Sequence, residues 1–429
     1  MPTQRETSSA LRISCEKRLP AALEFLRQTV AINSFTANPA GVNAVGDLVA
    51  ETFAPLGFEP TRVPAARPGC GDHLFLATNF RSGLRTVALV SHLDTVFPPE
   101  EETRNGFAWR REGDRIYGPG TNDIKGGTAL IWLLLSVLRE TDPALYGSVR
   151  WIVALNACEE VDSVDFGAAC ERLIPAPTLA CLLFEADGGT RDAPALVAAR
   201  KGRATFTIRV AGRGAHAGGQ HERGANAIVE LSRVIERVAA LTDYAAGVTV
   251  NVGVVSGGTV NNRVPHEAVA TLEMRAHEPV AFARARSALL ALAGEGTLRS
   301  ADGNFTCHVS VTLDDETPPW PANPATERLL AHWQAAGAEL GVPVARQERG
   351  GLSDGNVLWQ RYPTLDGLGP CGENSHCSER SADGSKEPEW VDAASFVPKA
   401  ILNAIALVSL LAQETGRQAR DTLENSDLS

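Results

Sequence analysis

Two adjacent acids, Glu159 and Glu160, close the stretch Trp151–Glu160 (WIVALNACEE), and a chemical reading of this chain turns on them. The stretch begins as an apolar run with β-branched residues, the pattern of a strand buried on both faces. Neighbouring side chains of an extended segment point opposite ways. The two acids are therefore expected to do different jobs, one holding a metal and the other moving a proton beside it. Metal-assisted hydrolysis needs that division. Other metal-competent residues stand in comparable places. His92 follows the apolar run at 86–90, Glu185 follows the run at 179–184, and Asp123 stands where a loop enters a long apolar helix. His376 lies much later, in a loop at 367–378 rich in glycine and proline. In open α/β sheets ligands bind beyond the carboxyl ends of the strands, so these segments are expected to converge on one cleft. Taken singly, each residue is ordinary; an acid before a helix, for instance, is usually a cap. Together they point to a metal site.

The elements that must position these residues follow from periodicity. Helices are predicted over 11–32, 41–56, 126–138 and around 167–172, and strands over 73–79, 86–90, 151–155 and 179–184. Residues 1–10 read as frayed and 98–120 as irregular. Strands alternating with helices predict an α/β domain with a mostly parallel sheet covered on both faces. The texture changes near Lys201. Strand 204–210, helix 225–241, strands 248–255 and 268–275, helix 281–293 and strand 306–312 make a βαββαβ order, the ferredoxin-like split motif. Trp320-Pro321-Ala322-Asn323-Pro324 marks the return, and helices over 325–340 and 391–414 complete the first domain, with the remainder to Ser429 read as disordered. The expected organisation is a catalytic domain built from 1–200 and 316–429, interrupted by an inserted domain at 201–315.

Composition narrows the function classes. At 429 residues, with 44% hydrophobic and 21% charged content, the chain reads as a soluble two-domain protein. A net charge of −11 argues against nucleic acid or an anionic membrane as partner. No apolar run is read as a membrane span, and the N-terminus lacks the apolar centre of a signal peptide, so the cytoplasm is the default address. Eight scattered cysteines without a CxxC signal neither a disulfide framework nor a thiolate zinc site.

Several motifs carry a resemblance to a known family. His92-Leu93-Asp94-Thr95-Val96, the run Gly118 to Gly127 (GPGTNDIKGG), Glu159-Glu160 and Phe184-Glu185 occur in order. Gly214-Ala215-His216-Ala217-Gly218 and Leu365-Asp366-Gly367-Leu368-Gly369-Pro370 follow, and then His376. These resemble the motifs of the di-zinc family of glutamate carboxypeptidase, aminoacylase, succinyl-diaminopimelate desuccinylase and acetylornithine deacetylase, over about residues 15–415. The resemblance implies a zinc-hydrolase catalytic domain and an inserted lid and dimerisation domain. It implies two Zn2+ per chain, with Co2+ or Mn2+ also suited to nitrogen and oxygen ligands. His92 and Glu185 would bind one ion, Glu160 and His376 the other, and Asp123 would bridge them. Glu159 would be the general base, and Asp94 would orient the His92 imidazole. His216 would reach the active site, often that of a partner subunit, which implies a homodimer. Asn262 and Arg275 would hold the substrate's carboxylate, and the segment around Gly351 would form the opposite wall.

Three departures bear on the pocket: Arg263 after Asn262, Cys377 after His376, and a polar stretch at 380–389 longer than the family pattern. The expected activity is hydrolysis of an amide next to a free carboxylate on a small substrate, releasing an amino acid in the manner of a glutamate carboxypeptidase. An N-acyl amino acid deacylase is the alternative within enzymes. A non-catalytic peptide-binding relative is the alternative outside them, and would be marked by loss of a ligand or the base. No GxGxxG follows an early strand, which sets aside a dinucleotide-binding protein.

Overall fold

The computed structural model describes residues 4–78 and 83–426. The chain forms two compact units. One comprises Met1–Ala198, Ala322–Glu348 and Ser353–Ser429, and the other Ala199–Pro321 and Arg349–Leu352.

The first unit is built on a six-stranded sheet. Its spatial order is Glu59–Pro64, Asp72–Ala77, Val149–Asn156, Arg85–His92, Ala180–Leu183 and Thr364–Leu365. The last four are parallel neighbours, while the two at the opposite edge run antiparallel. Successive residues of the central strands feed opposite cores. Val87 and Leu89 pack among the long helices, whereas Ala88 and Val90 pack with Phe166, Leu358 and Tyr362. Double-sided burial is why these strands read as continuous apolar runs rather than as alternating ones. The helix Gly126–Thr141 is buried along most of its length. Its start lies so close to the next strand end that a Cβ on Gly127 would come 2.0 Å from the Phe184 carbonyl oxygen. Only glycine fits there.

The second unit is a five-stranded antiparallel sheet in the order Thr249–Gly257, Glu267–Ala276, Gly202–Ala211, Thr306–Thr317 and Gly294–Arg299. Helices Ala227–Ala239 and Pro279–Leu290 share one core with it. The strand Gly202–Ala211 alternates buried and less buried residues, as a sheet covered on one face should.

Several expectations need correction. The first helix starts at Gln4, so residues 4–10 are helical rather than frayed, and the last runs from Phe396 to Ser426, well past 414. Residues 1–3, Asn79 at the end of a predicted strand, and 427–429 lie outside the described residues. The stretch 98–120 contains the helix Pro99–Asn105 and the strands Arg110–Glu112 and Arg115–Tyr117. These short strands form a four-stranded antiparallel sheet with Trp390–Asp392 and Gly372–Glu373. Strand Gly294–Arg299 makes the second unit βαββαββ; its GEGTLR sequence has little strand character, and a buried acid holds it. Glu230 accepts from Thr297 N and Leu298 N at 2.8 and 2.7 Å and from Thr297 Oγ1 at 3.0 Å. One segment, Ala393–Gln413, is long and apolar enough to pass for a membrane span, contrary to the reading above. In the fold 78% of its most apolar window is buried, which accounts for the apolar character.

Candidate active site

Parallel register sets strand ends side by side: His92 pairs with Asn156, so the chain leaving each strand enters the same region. The His92 ring is fully buried. Its Nδ1 lies 3.0 Å from the Asp94 carbonyl oxygen, which places the ring hydrogen there and leaves the Nε2 lone pair for a cation. Nε2 faces Asp123 Oδ1 at 3.1 Å. Asp123 Oδ2 faces a different histidine, His376 Nε2, at 3.2 Å. His376 Nε2 also lies 3.3 Å from Glu160 Oε2. One carboxylate thus stands between two imidazoles with one oxygen toward each. The structure brings His92, Asp123, Glu160 and His376 together, and the ligand atoms of the first three lie within 4.8 Å of one another.

The electrostatics suit a cation. Burial pushes the Glu160 carboxyl up, and the charge of Asp123 adds to this. Burial also pushes Glu159 well above the carboxylate range; His92 opposes this, while Glu185 and Asp354 reinforce it. Asp123 moves the other way, because the two imidazoles overcome its burial. The carboxylates of Asp123 and Glu160 hold His376 up at about 11. Glu160 Oε1 is buried with no hydrogen-bond partner among the described residues. An orphaned carboxylate oxygen in a nest of acids and imidazoles is what a divalent ion would satisfy.

Asp94 is placed differently from expectation. Its carboxylate is 3.4 Å from His92 Nδ1, and the nearer partner of the ring is its own carbonyl. The carboxylate instead accepts from Glu159 N at 3.1 Å, Glu160 N at 3.3 Å and Thr36 Oγ1 at 2.7 Å. The strand ends at Asn156, so residues 157–160 form a turn. Asp94, rather than strand alternation, sets the two acids. Glu185 follows its strand, with its carbonyl held by Gly369 N at 2.8 Å. Two residues on, the buried pair Asp187–Lys399 ties this segment to the last helix, and Lys399 also donates to the Gly367 carbonyl at 3.0 Å.

Two site residues escaped the sequence reading. Glu389 is fully buried. It accepts from Asn122 N at 2.9 Å and Asp123 N at 3.2 Å through Oε1, and from His376 N at 3.3 Å through Oε2. It therefore pins together two loops that are remote in sequence. Burial, with the charge of Asp123, pushes it up to about 8 despite those donors. His376 itself has φ of 68°, unusual for a non-glycine residue and held by this staple. Asp354 is the other, read from the sequence only as part of the wall segment around Gly351; it is buried and hydrogen-bonded by Asn156 Nδ2 at 2.7 Å, with burial raising it to about 7. The polar stretch at 380–389 is where Glu389 sits. Arg380 lies over the Tyr117 ring and pairs with Glu112, and Glu387 accepts from Tyr117 and Arg115.

In the second unit, His216 is exposed and its Nδ1 accepts from Gly218 N and Gly219 N, both at 3.1 Å. The ring hydrogen is thereby on Nε2, making His216 a donor. Asn262 is close by, since its carbonyl accepts from Ala217 N at 3.0 Å. Arg263 pairs through its backbone with His216 and sets its guanidinium over Gly214. Arg275 is elsewhere. Asn262 lies in the turn before strand Glu267–Ala276, and Arg275 lies near the far end of that strand. The eight residue steps from Glu267 to Arg275 span roughly 26 Å at ~3.3 Å each. One chain does not bring Asn262 and Arg275 together. Arg275 meets Glu273 at 2.9 and 3.3 Å and donates to the Gly350 carbonyl at 2.8 Å, which places it beside Gly351.

Comparison with known proteins bears on the fold and on the class of reaction. Residues 198–299 match the peptidase dimerisation domain. Carboxypeptidase G2 of Pseudomonas sp. (strain RS-16) is 29% identical over 395 residues, 91% of this chain and 89% of that protein. Acetylornithine deacetylase of Shigella sonnei (strain Ss046) is 28% identical over 265 residues, 58% of this chain and 66% of that protein. In fold, the chain is similar to aminopeptidase PepT from Bacillus cereus, with a TM-score of 0.71, 21% identity and coverage of 92% of this chain and 99% of that one. It is also similar to human carnosine dipeptidase 1, with a TM-score of 0.64, 13% identity and coverage of 94% and 100%. The chain is thus similar to carboxypeptidase G2 over most of its length and to acetylornithine deacetylase over part of it, which supports a hydrolytic enzyme that cleaves amide bonds.

Proposed function

We propose that this protein is a two-zinc hydrolase that cleaves an amide bond beside a free carboxylate and releases an amino acid, in the manner of a glutamate carboxypeptidase. The observation that carries this reading is Asp123, whose two oxygens face two different histidines. His92 and Glu185 would hold one ion and Glu160 and His376 the other, with Asp123 shared. Bound there, the ions supply Lewis acidity for the scissile carbonyl and for the attacking water. Glu159 takes the proton of that water on its carboxylate and returns it to the leaving amine. Asp94 keeps Glu159 and Glu160 in place through their amides, and Glu389 keeps Asp123 and His376 in register.

His216, with its hydrogen on Nε2, donates to the carbonyl oxygen as charge develops on it. Asn262 and Arg275 of one chain are too far apart to share a small carboxylate. A homodimer removes the difficulty, because the Arg275 and the Asn262 that meet one carboxylate can then come from different chains, and His216 with the latter. A cytoplasmic address suits a chain whose eight cysteines are all free.

Carboxypeptidase and N-acyl amino acid deacylase readings are separated by a screen of dipeptides and N-acyl amino acids, scored by release of free amine. The carboxylate requirement is tested on the same panel with amide-capped analogues, which the wild type is expected to cleave poorly. Arg275→Ala should slow the free-carboxylate substrates by roughly 30- to several-thousand-fold in kcat/KM, from the ~2–5 kcal/mol that truncating a desolvated charge pair costs. It should barely alter the capped ones. Equal cleavage of capped and free substrates by wild type would make the enzyme a general amidase.

A further inference from the structure

A second cluster of reactive side chains lies beside the acids, and the hydrolytic chemistry uses none of it. Cys158 is the residue before Glu159 and is fully buried. Cys70 is partly exposed, in the turn that leads into strand Asp72–Ala77. Two observations put them together. Antiparallel register pairs Leu74 with Leu155 and, carried past the end of the strand, sets residue 71 opposite Cys158. The segments do stay side by side there, because Ala157 N donates to His73 Nδ1 at 3.1 Å. Each thiol also alters the proton affinity of the other, as neighbouring sulfurs do. Thiols this near can be bridged once the two segments draw together.

A cation is the competing occupant, since ligand atoms of His73, Cys158 and Asp165 lie within 4.8 Å of one another. The hydrogen on the imidazole argues against it. The Ala157 amide occupies the Nδ1 lone pair, so the ring hydrogen is on Nε2 and points at Asp165 Oδ2, 3.1 Å away. That nitrogen has no lone pair to offer. His92 shows the opposite arrangement, with its hydrogen on Nδ1.

We propose that Cys70 and Cys158 are a redox modification site, forming a reversible disulfide that lowers the activity of the adjoining acids. The oxidant is a low-molecular-weight disulfide such as oxidised glutathione. Cys70, the accessible member, gives up its thiol proton, and its sulfur attacks one sulfur of the oxidant. The oxidant's S–S bond breaks, and the first glutathione leaves as a thiol carrying that proton. The Cys158 sulfur then displaces the second glutathione, which leaves with the Cys158 proton. One disulfide forms in the protein, one is reduced, and two thiols are released. Drawing Cys158 toward Cys70 pulls on the segment whose next two amides rest on Asp94, and so displaces Glu159 and Glu160.

The test uses the native full chain treated with oxidised glutathione, followed by alkylation of free thiols and peptide mapping by mass spectrometry. The expected result is an internal Cys70–Cys158 link, a fall in turnover of at least several-fold, and recovery of both on adding dithiothreitol. Cys70→Ser should keep basal turnover and show neither change. The activity arm rests on the roles proposed for the two acids, whereas the mapping arm does not. A glutathione adduct that stays on Cys70 without closing, or a closed link that leaves turnover unchanged, overturns the proposal. So does a treated enzyme that forms no link while Cys158→Ser loses one bound zinc per chain, which would give the cluster of His73, Cys158 and Asp165 to a cation.

Discussion

In the first unit, Asp94 and Glu389 are buried carboxylates that each accept from two or more backbone amides, and all of those amides but that of Asn122 belong to the residues proposed to carry the chemistry. In the second unit, His216, Asn262 and Arg263 are exposed on two glycine-bearing turns, and the His216 ring is braced by two local amides. One set is held to a fixed geometry from several directions at once, as a metal centre requires. The other sits on a loop at the end of a hairpin, suited to arriving from a partner and to changing with the substrate. Under the proposed roles, reaction type and substrate choice are carried by separable parts of this chain. Changes in the first unit should abolish or loosen the chemistry, and changes in the second should redirect it.

The sharpest break comes from the acid pair. Glu159→Gln should retain bound metal and lose turnover by on the order of 10²–10⁴ or more, the usual worth of a positioned acid–base group. Glu160→Gln should instead weaken metal binding, read by titration against a chromophoric chelator. If both variants behave alike, the division of labour between them is wrong. A smaller effect is expected at Glu389, which touches no reacting atom. Glu389→Gln should lower metal affinity by roughly 10- to 100-fold, as loss of an outer hydrogen-bond partner usually does. Saturating zinc should restore most of its kcat, whereas a direct chemical role would leave kcat low at any zinc concentration. The comparison is sharpened by mixing two inactive chains, His216→Ala and Glu159→Gln. If sites are shared across a twofold dimer, exchange should return activity to roughly a quarter of all sites, one intact site in each mixed dimer. No recovery under conditions where subunits exchange would confine each site to one chain.

Much of this was legible in the sequence, for reasons that differ by residue. His92, Asp123, Glu160 and His376 announced themselves because each sits in a distinctive motif at an element's end, and the structure brings those four together. Strand and helix types in the first unit were readable because double-sided burial leaves continuous apolar runs. Glu389 was not legible. It ends a polar stretch that also holds Glu379, Asp383 and Glu387, and only the tertiary fold buries it rather than the others. The strand Gly294–Arg299 was hidden for a related reason, since a carboxylate from a distant helix supports it in place of strand propensity. The roles of Glu159 and Glu160 were assigned on the premise of an extended segment. In the structure the turn held by Asp94, and not strand alternation, is what separates the two side chains. The distance between Asn262 and Arg275 was also hidden, because thirteen positions in sequence say nothing of a hairpin whose far end carries the arginine.

The proposed centre is a pair of ions shared by Asp123 between His92 and His376. Elemental analysis of the purified protein tests it, with turnover measured before chelation, after it, and after zinc is returned. Two ions per chain are expected, with loss of turnover as they are removed and recovery as both are restored. Full turnover in metal-free protein, or saturation of activity at a single ion per chain, would contradict it.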